Sequence, residues 1–255
     1  MSGPLAGRVV LITRPADQGA SLAARLRALG AEPLEAPTIV VEPSPVGGPL
    51  DRSVRAAAEG RFEWVAFTSA SGVGAWMDRA EALEAGPPRA RVAAVGEATA
   101  EALREAGVAP ALVPPSFTTA ALGEAFPEGR GTVLLPRADR AGADLEAAIR
   151  AKGWTPVRVD AYRVRPAEAL PEEAATALTD GRVDAVTFTS PSTVEGLVRL
   201  VGVVEGPAVV CIGPVTAEAA RRAGFEVAAV AYPHTTEGLA RALVRALHRP
   251  PPRSV

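Results

Sequence analysis

The feature that most constrains this chain is that it repeats itself. Arg14-Pro15-Ala16-Asp17-Gln18-Gly19-Ala20-Ser21-Leu22 returns as Arg137-Ala138-Asp139-Arg140-Ala141-Gly142-Ala143-Asp144-Leu145. The offset is 123 residues (137 − 14), and it runs without a gap through Gly30/Gly153, Pro33/Pro156 and Pro43/Pro166. Further on, Phe67-Thr68-Ser69-Ala70-Ser71 answers Phe188-Thr189-Ser190-Pro191-Ser192, and Gly96-Glu97-Ala98-Thr99-Ala100 answers Gly213-Pro214-Val215-Thr216-Ala217. Thr118-Thr119 before Leu122 answers Thr235-Thr236 before Leu239. Four blocks in the same order mark a tandem duplication.

Each unit alternates short apolar runs with amphipathic stretches. Arg8 to Thr13 reads as a strand, and Ser21 to Leu29 as a helix with Leu22, Leu26 and Leu29 on one stripe and Gly30 as its stop. The alternation recurs at Thr132–Leu135 with Leu145–Lys152, at Trp64–Thr68 with the segment after Ser69, and at Asp184–Thr189 with Val194–Leu200. Strands this apolar, separated by helices, imply parallel sheets covered on both faces. The expected fold class is therefore α/β, with two similar doubly wound parallel-sheet lobes. A sequential cut near residue 130 is the simplest division. The Val- and Pro-rich segments Ala36–Pro43 and Val159–Pro166 lack a helical period and read as strands crossing between lobes.

With 255 residues, 48% hydrophobic and 22% charged, the chain is globular and long enough for one large domain or two of ordinary size. A net charge of −2 gives no basic field, which argues against nucleic-acid binding; an anionic ligand must be met by local donors. Cys211 is the only cysteine and lies in the apolar run Val209–Ile212, a core position. With His234 and His248 the only histidines, a zinc site is not expected. The start, Met1 to Arg8, lacks a secretory pattern, and no apolar run approaches the ~20 residues of a membrane span. The expectation is a cytoplasmic protein with no membrane partner. The tail Arg249–Val255, with Pro250-Pro251-Pro252, is expected to be disordered.

In open parallel sheets, ligands bind where strands end and helices begin. Thr68-Ser69-Ala70-Ser71 and Thr189-Ser190-Pro191-Ser192 stand at such points, as do Gly96 to Thr99 and Gly213 to Thr216. Helix N-termini offer unpaired N–H groups and a positive dipole end, and the hydroxyls add donors, a combination suited to carboxylates or phosphates. Ser and Thr are also ordinary N-caps, so each place alone is explained by capping. Equivalent loops on two lobes raise the functional reading, because they could line a shared cleft. Arg14 and Arg137 end the first strand of each unit, where a guanidinium can clamp a carboxylate or simply pair with Asp17 or Asp139. Tyr162 lies on the second crossing strand, as a ring packed at the lobe junction or as a working phenol. No glycine-rich phosphate loop and no G-x-S-x-G elbow appear, and neither histidine has a Ser or Cys partner in the repeat scheme. An enzyme built this way would work by holding a substrate that is already reactive; a two-lobed binding protein for a small anion fits the same residues.

At Phe188–Ser192, Ile212–Ala217 and Thr235–Leu239 the sequence resembles the uroporphyrinogen-III synthases, in order and spacing over nearly the whole chain, with Tyr162 at the place of the family's tyrosine. The resemblance implies a discontinuous lobe of residues 1–37 plus 167–255, a second lobe of residues 44–158, and a two-strand hinge at 38–43 and 159–166. It implies closure of hydroxymethylbilane to uroporphyrinogen III, with inversion of the last pyrrole ring and loss of water through a spiro intermediate. No cofactor or metal is implied. The substrate would come from hydroxymethylbilane synthase, and a monomer is expected. Tyr162 would assist water loss, and Arg14, Thr68, Ser69, Ser71, Gly96, Thr99, Arg137, Thr189, Ser190, Ser192, Gly213 and Thr216 would bind substrate. Val215 stands where some relatives carry a second threonine, so the hydroxyl role there falls to Thr216 alone.

Overall fold

The computed structural model describes residues 3–248, and the expected disorder of the Pro-rich tail lies outside the described residues. The chain divides into two compact units, one of Met1–Val40 with Arg165–Val255 and one of Val41–Val164. The chain opens with β1 (Val9–Ile12), α1 (Ala16–Ala28) and β2 (Glu32–Glu35). It enters the inserted unit along β3 (Ile39–Pro43) and continues through α2 (Pro49–Ala58), β4 (Trp64–Phe67), α3 (Ala70–Ala82), β5 (Arg91–Ala94), α4 (Glu97–Glu105), α5 (Thr119–Ala125), β6 (Thr132–Ala138) and α6 (Asp144–Ala151). It leaves along β7 (Thr155–Pro166), then forms α7 (Glu172–Thr179), β8 (Ala185–Phe188), α8 (Pro191–Val201), β9 (Ala208–Cys211), α9 (Pro214–Arg222), β10 (Val227–Val230) and α10 (Thr236–His248).

The duplication is visible in the topology. The discontinuous unit orders its strands β10-β9-β8-β1-β2, and the inserted unit β3-β7-β6-β4-β5. Reversed, the second reads β5-β4-β6-β7-β3; its first four strands match β9-β8-β1-β2, with an isolated bridge from Ala93 to Leu112 standing where the first unit has β10. Register is repeated too: Val9 pairs with Glu32, and Thr132 with Thr155, each shifted by the same 123 residues (132 − 9; 155 − 32). All pairs with assigned register are parallel.

Strand residues alternate between two cores, one on each face of each sheet. On β4, Val65 and Phe67 join the cluster with Trp76 and Leu103, while Trp64 and Ala66 join the cluster with Phe126 and Leu145. On β9, Val209 and Cys211 face Phe188 and Phe225, while Val210 faces the side of Leu22 and Leu239. This is why the strands read as unbroken apolar runs.

β7 is one continuous strand hydrogen-bonded to β6 from Thr155 to Tyr162. The unit boundary, between Val164 and Arg165, lies near its end rather than before it, and the other boundary falls inside β3 between Val40 and Val41. The expected cuts at 43/44 and 158/159 set both segments apart as crossing strands; backbone pairing makes them members of the inserted unit's sheet. Where the chain leaves and re-enters the discontinuous unit it is tied down. The Thr38 hydroxyl donates to the carbonyl of Thr193 at 2.9 Å, and the Ala167 N–H donates to the Thr38 carbonyl at 3.0 Å. Gly196 on α8 permits this approach, since a Cβ there would lie 2.4 Å from the Thr38 carbonyl oxygen.

Candidate active site

In the inserted unit, the carboxyl ends of β4, β5 and β6 carry the loops of interest. Ser69 is the N-cap of α3: extended backbone, with its Oγ accepting from the Gly72 N–H at 3.0 Å. The same Oγ lies 2.9 Å from the Tyr162 hydroxyl, and Ser71 also hydrogen-bonds that phenol. Tyr162 reaches this point because β7 pairs with β6 and its ring edge slides past Gly72, where a Cβ would sit 3.7 Å from Cε1. The ring is 7% exposed. Burial pushes the phenol's pKa above its ordinary value; the Ser69 bond and the Arg137 charge oppose that without reversing it. Tyr162 is thus a neutral hydroxyl near pH 7, with a proton to donate.

Arg137, expected to reach for substrate, is instead 5% exposed and committed inward. Its Nη1 donates to Glu146 Oε2 and to the Gly142 carbonyl, both at 2.6 Å. A buried guanidinium needs a carboxylate, and α6 supplies one. The reading of Arg137 as a substrate clamp is therefore not what its geometry supports; it shapes the loop after β6 and lends charge to the phenol. Gly96 is the N-cap of α4, with no side-chain cap bond and with the Phe117 ring laid directly over it. Thr99, in the first turn of α4, is 3% exposed. Thr68, beside Ser69, is half-buried.

The discontinuous unit repeats this plan with different chemistry. Ser190 caps α8 in a reciprocal capping box: its Oγ accepts from the Thr193 N–H and the Thr193 hydroxyl accepts from the Ser190 N–H, both at 3.3 Å. Thr189 and Ser192 flank it, half-buried, and Pro191 occupies the first helical position. Gly213 is the N-cap of α9, Thr216 is 4% exposed in its first turn, and Val215 between them is 59% exposed. Arg14 follows β1, half-buried, and the position equivalent to Glu146 is Ala23 (146 − 123), so the pairing of Arg137 with Glu146 is not repeated there. The position equivalent to Tyr162 is Ile39 (162 − 123). Only the inserted unit carries a phenol at this position, and the two halves of the duplication are not interchangeable.

Two residues escaped the sequence reading: Phe117 and His234. Each precedes the Thr-Thr pair of its unit and covers the glycine N-cap of α4 or α9 respectively. Their alignment (234 − 117 = 117, the same offset as 235 − 118) was a usable signal, since the Thr-Thr pairs they precede match each other. A cavity of about 820 Å³ opens at the opposite end of the discontinuous unit's sheet, among Arg8, Asp184, Glu205 and Glu226. Three carboxylates and strand amino ends make it unsuited to an anion. Cys211 is fully buried in β9, with its thiol pushed up to about 12 by burial, so it is no nucleophile at neutral pH. No helix among the described residues is long and apolar enough to cross a membrane.

The family model described as Uroporphyrinogen-III synthase HemD matches residues 20–241. A uroporphyrinogen-III synthase of Synechococcus elongatus is 32% identical, covering 94% of this chain and 96% of that one. The chloroplastic uroporphyrinogen-III synthase of Oryza sativa is 28% identical over 90% of this chain and 76% of its own. Among solved structures, a mutant uroporphyrinogen III synthase of Thermus thermophilus superposes with a TM-score of 0.67 at 27% identity, covering 94% of this chain and 98% of that one. The duplicated α/β units, the helix-end loops and these matches, which span most of the chain, lead to one conclusion: the chain belongs to the uroporphyrinogen-III synthase family.

Proposed function

We propose that this enzyme of tetrapyrrole synthesis closes hydroxymethylbilane to uroporphyrinogen III with inversion of the last pyrrole ring, and that Tyr162 assists departure of water. The observation that carries the residue assignment is the Tyr162–Ser69 pair at 2.9 Å beside the N-terminus of α3. Loss of water breaks the carbon–oxygen bond of the terminal hydroxymethyl group. The electron pair leaves with oxygen, which is a poor leaving group unless it receives a hydrogen bond or a proton. A neutral, buried phenol supplies that donor. Ser69 and Ser71 hold its oxygen, and Ser69 is itself fixed by the Gly72 N–H, so the hydroxyl is aimed before substrate arrives.

The substrate's many carboxylates suit the remaining residues. Gly96 and Gly213 leave the first-turn N–H groups of α4 and α9 free of any side-chain cap bond, and Thr99 and Thr216 add hydroxyls there. Thr68, Thr189 and Ser192 add further hydroxyls beside these helix ends, and Ser71 and Arg14 stand just past the ends of β4 and β1 in the same two units. No further acid–base pair is required, because the activated chain closes spontaneously once water has left; orienting it can supply a large part of the barrier difference between the two closures. A purely binding function is disfavoured by the family membership, whose members named above are synthases. The test is product analysis. Hydroxymethylbilane generated in situ by hydroxymethylbilane synthase is incubated with the protein, and isomers I and III are separated. Isomer III is the expected product; isomer I alone, as in the control lacking the protein, refutes the proposal.

A further inference from the structure

His234 is held with one ring nitrogen occupied and the other open. Nδ1 lies 3.0 Å from the Ile212 carbonyl oxygen and 2.8 Å from that of Ala231. Carbonyls only accept, so Nδ1 carries a proton, and in the tautomer this selects the lone pair lies on Nε2. Nε2 has no hydrogen-bond partner among the described residues. The ring rests against Gly213, where a Cβ would lie 3.6 Å from its Cγ, and meets the Tyr232 ring edge-on at 6.1 Å. The inserted unit shows what the packing alone requires. There Phe117, at the equivalent place before the Thr-Thr pair, covers Gly96 with a phenyl ring. A hydrocarbon ring therefore suffices to cover the glycine, and the oriented acceptor is extra.

We propose that His234 is a substrate-binding residue of the synthase: its Nε2 accepts a hydrogen bond from a pyrrole N–H of the bound tetrapyrrole. The proposal rests on the synthase reading and adds a direction to it. Helix-end N–H groups recognise the carboxylates of this substrate but cannot recognise its N–H edges, which need an acceptor. Among the loops at the carboxyl ends of β8 and β9, this nitrogen is an acceptor whose orientation is already set. Its counterpart in the other unit is a phenyl ring, so the duplication does not repeat this acceptor.

Three variants separate this role from structure. In His234→Asn the amide reaches the Nδ1 position and keeps a donor for the two carbonyls, but ends short of Nε2. In His234→Phe the ring packing of Phe117 is reproduced without either nitrogen. Both are expected to raise KM for hydroxymethylbilane about 3- to 10-fold, the size of one neutral hydrogen bond, with kcat within about twofold. His234→Gln, which carries an acceptor to the Nε2 position, should recover part of the loss. A wild-type KM in folded Asn or Phe variants overturns the proposal. If neither folds, the wild-type enzyme decides: its imidazole nitrogen resonances are followed as uroporphyrinogen III is added. A shift of Nε2 with Nδ1 unmoved supports the contact, and an unmoved Nε2 overturns it. Production of isomer I alone by the wild type would instead sink the synthase reading, so the two failures are distinguishable.

Discussion

Tyr162→Phe is the most informative single substitution. It removes one oxygen and leaves the ring, which is 7% exposed, in its place beside Gly72. The lost contacts are the 2.9 Å bond to Ser69 Oγ and the bond to Ser71. Ser69 keeps the Gly72 N–H at 3.0 Å, so α3 retains its N-cap. The net stability loss is about 0.5–1.5 kcal/mol, the usual worth of a hydrogen bond whose remaining partner stays satisfied. That corresponds to a melting temperature lower by roughly 1–6 °C. Catalysis should suffer far more. A positioned donor to a departing oxygen contributes about 10²–10⁴ in rate, so kcat should fall by at least about 10² while KM moves little, the phenol acting on charge that appears only as the bond breaks. The assay couples in-situ generation of hydroxymethylbilane to separation of the oxidised isomers. As enzymatic closure slows, spontaneous isomer I should displace isomer III. A kcat within about threefold of wild type in a folded variant would refute the reasoning, as would an activity loss that simply follows unfolding at the assay temperature.

Four further outcomes follow from the same geometry. Arg137→Ala should destabilise the inserted unit by about 3–5 kcal/mol, because Glu146 is left buried and charged, and denaturant midpoints should report it; a stable variant with only a raised KM would restore Arg137 as a clamp. Arg14→Ala, if Arg14 binds substrate, should raise KM for hydroxymethylbilane in steady-state assays, and an unchanged KM would remove it from the binding set. Gly196→Ala places a Cβ 2.4 Å from the Thr38 carbonyl oxygen and should cost about 1–3 kcal/mol, seen as a lower melting temperature. Asp51 gives a pH dependence. Burial opposes its ionisation, but the Gly47 N–H and the Arg79 guanidinium outweigh burial and hold its pKa below the ordinary 3.8. Its stabilising contribution is whole above that value and is lost as pH falls through the folded-state pKa; urea midpoints of the wild type should drop between about pH 5 and about pH 3 by more than those of Asp51→Asn.

Much of the architecture was legible because it depends on local pattern. Apolar runs such as Trp64–Phe67 are uniformly buried in a parallel sheet, and the 123-residue offset between the halves reappears in their strand register. The helix starts were legible for the same reason: Ser69 and Ser190 cap the helices that follow them, as short polar side chains after apolar strands do. The second partner of each site residue was not legible. Arg14 and Arg137 look alike in sequence, yet the carboxylate that Arg137 meets, Glu146, is supplied nine residues on by α6 at a place where the other half has Ala23.

The sequence alone determined the duplication, the α/β class and the strand ends at which donors gather, since these follow from periodicity and turn chemistry within a few residues. Only tertiary structure decided which donors act together. Ser69 and Tyr162 are 93 residues apart and meet because β7 lies beside β6. His234 looked idle in the sequence because its partners are backbone carbonyls, which every residue has and no motif records.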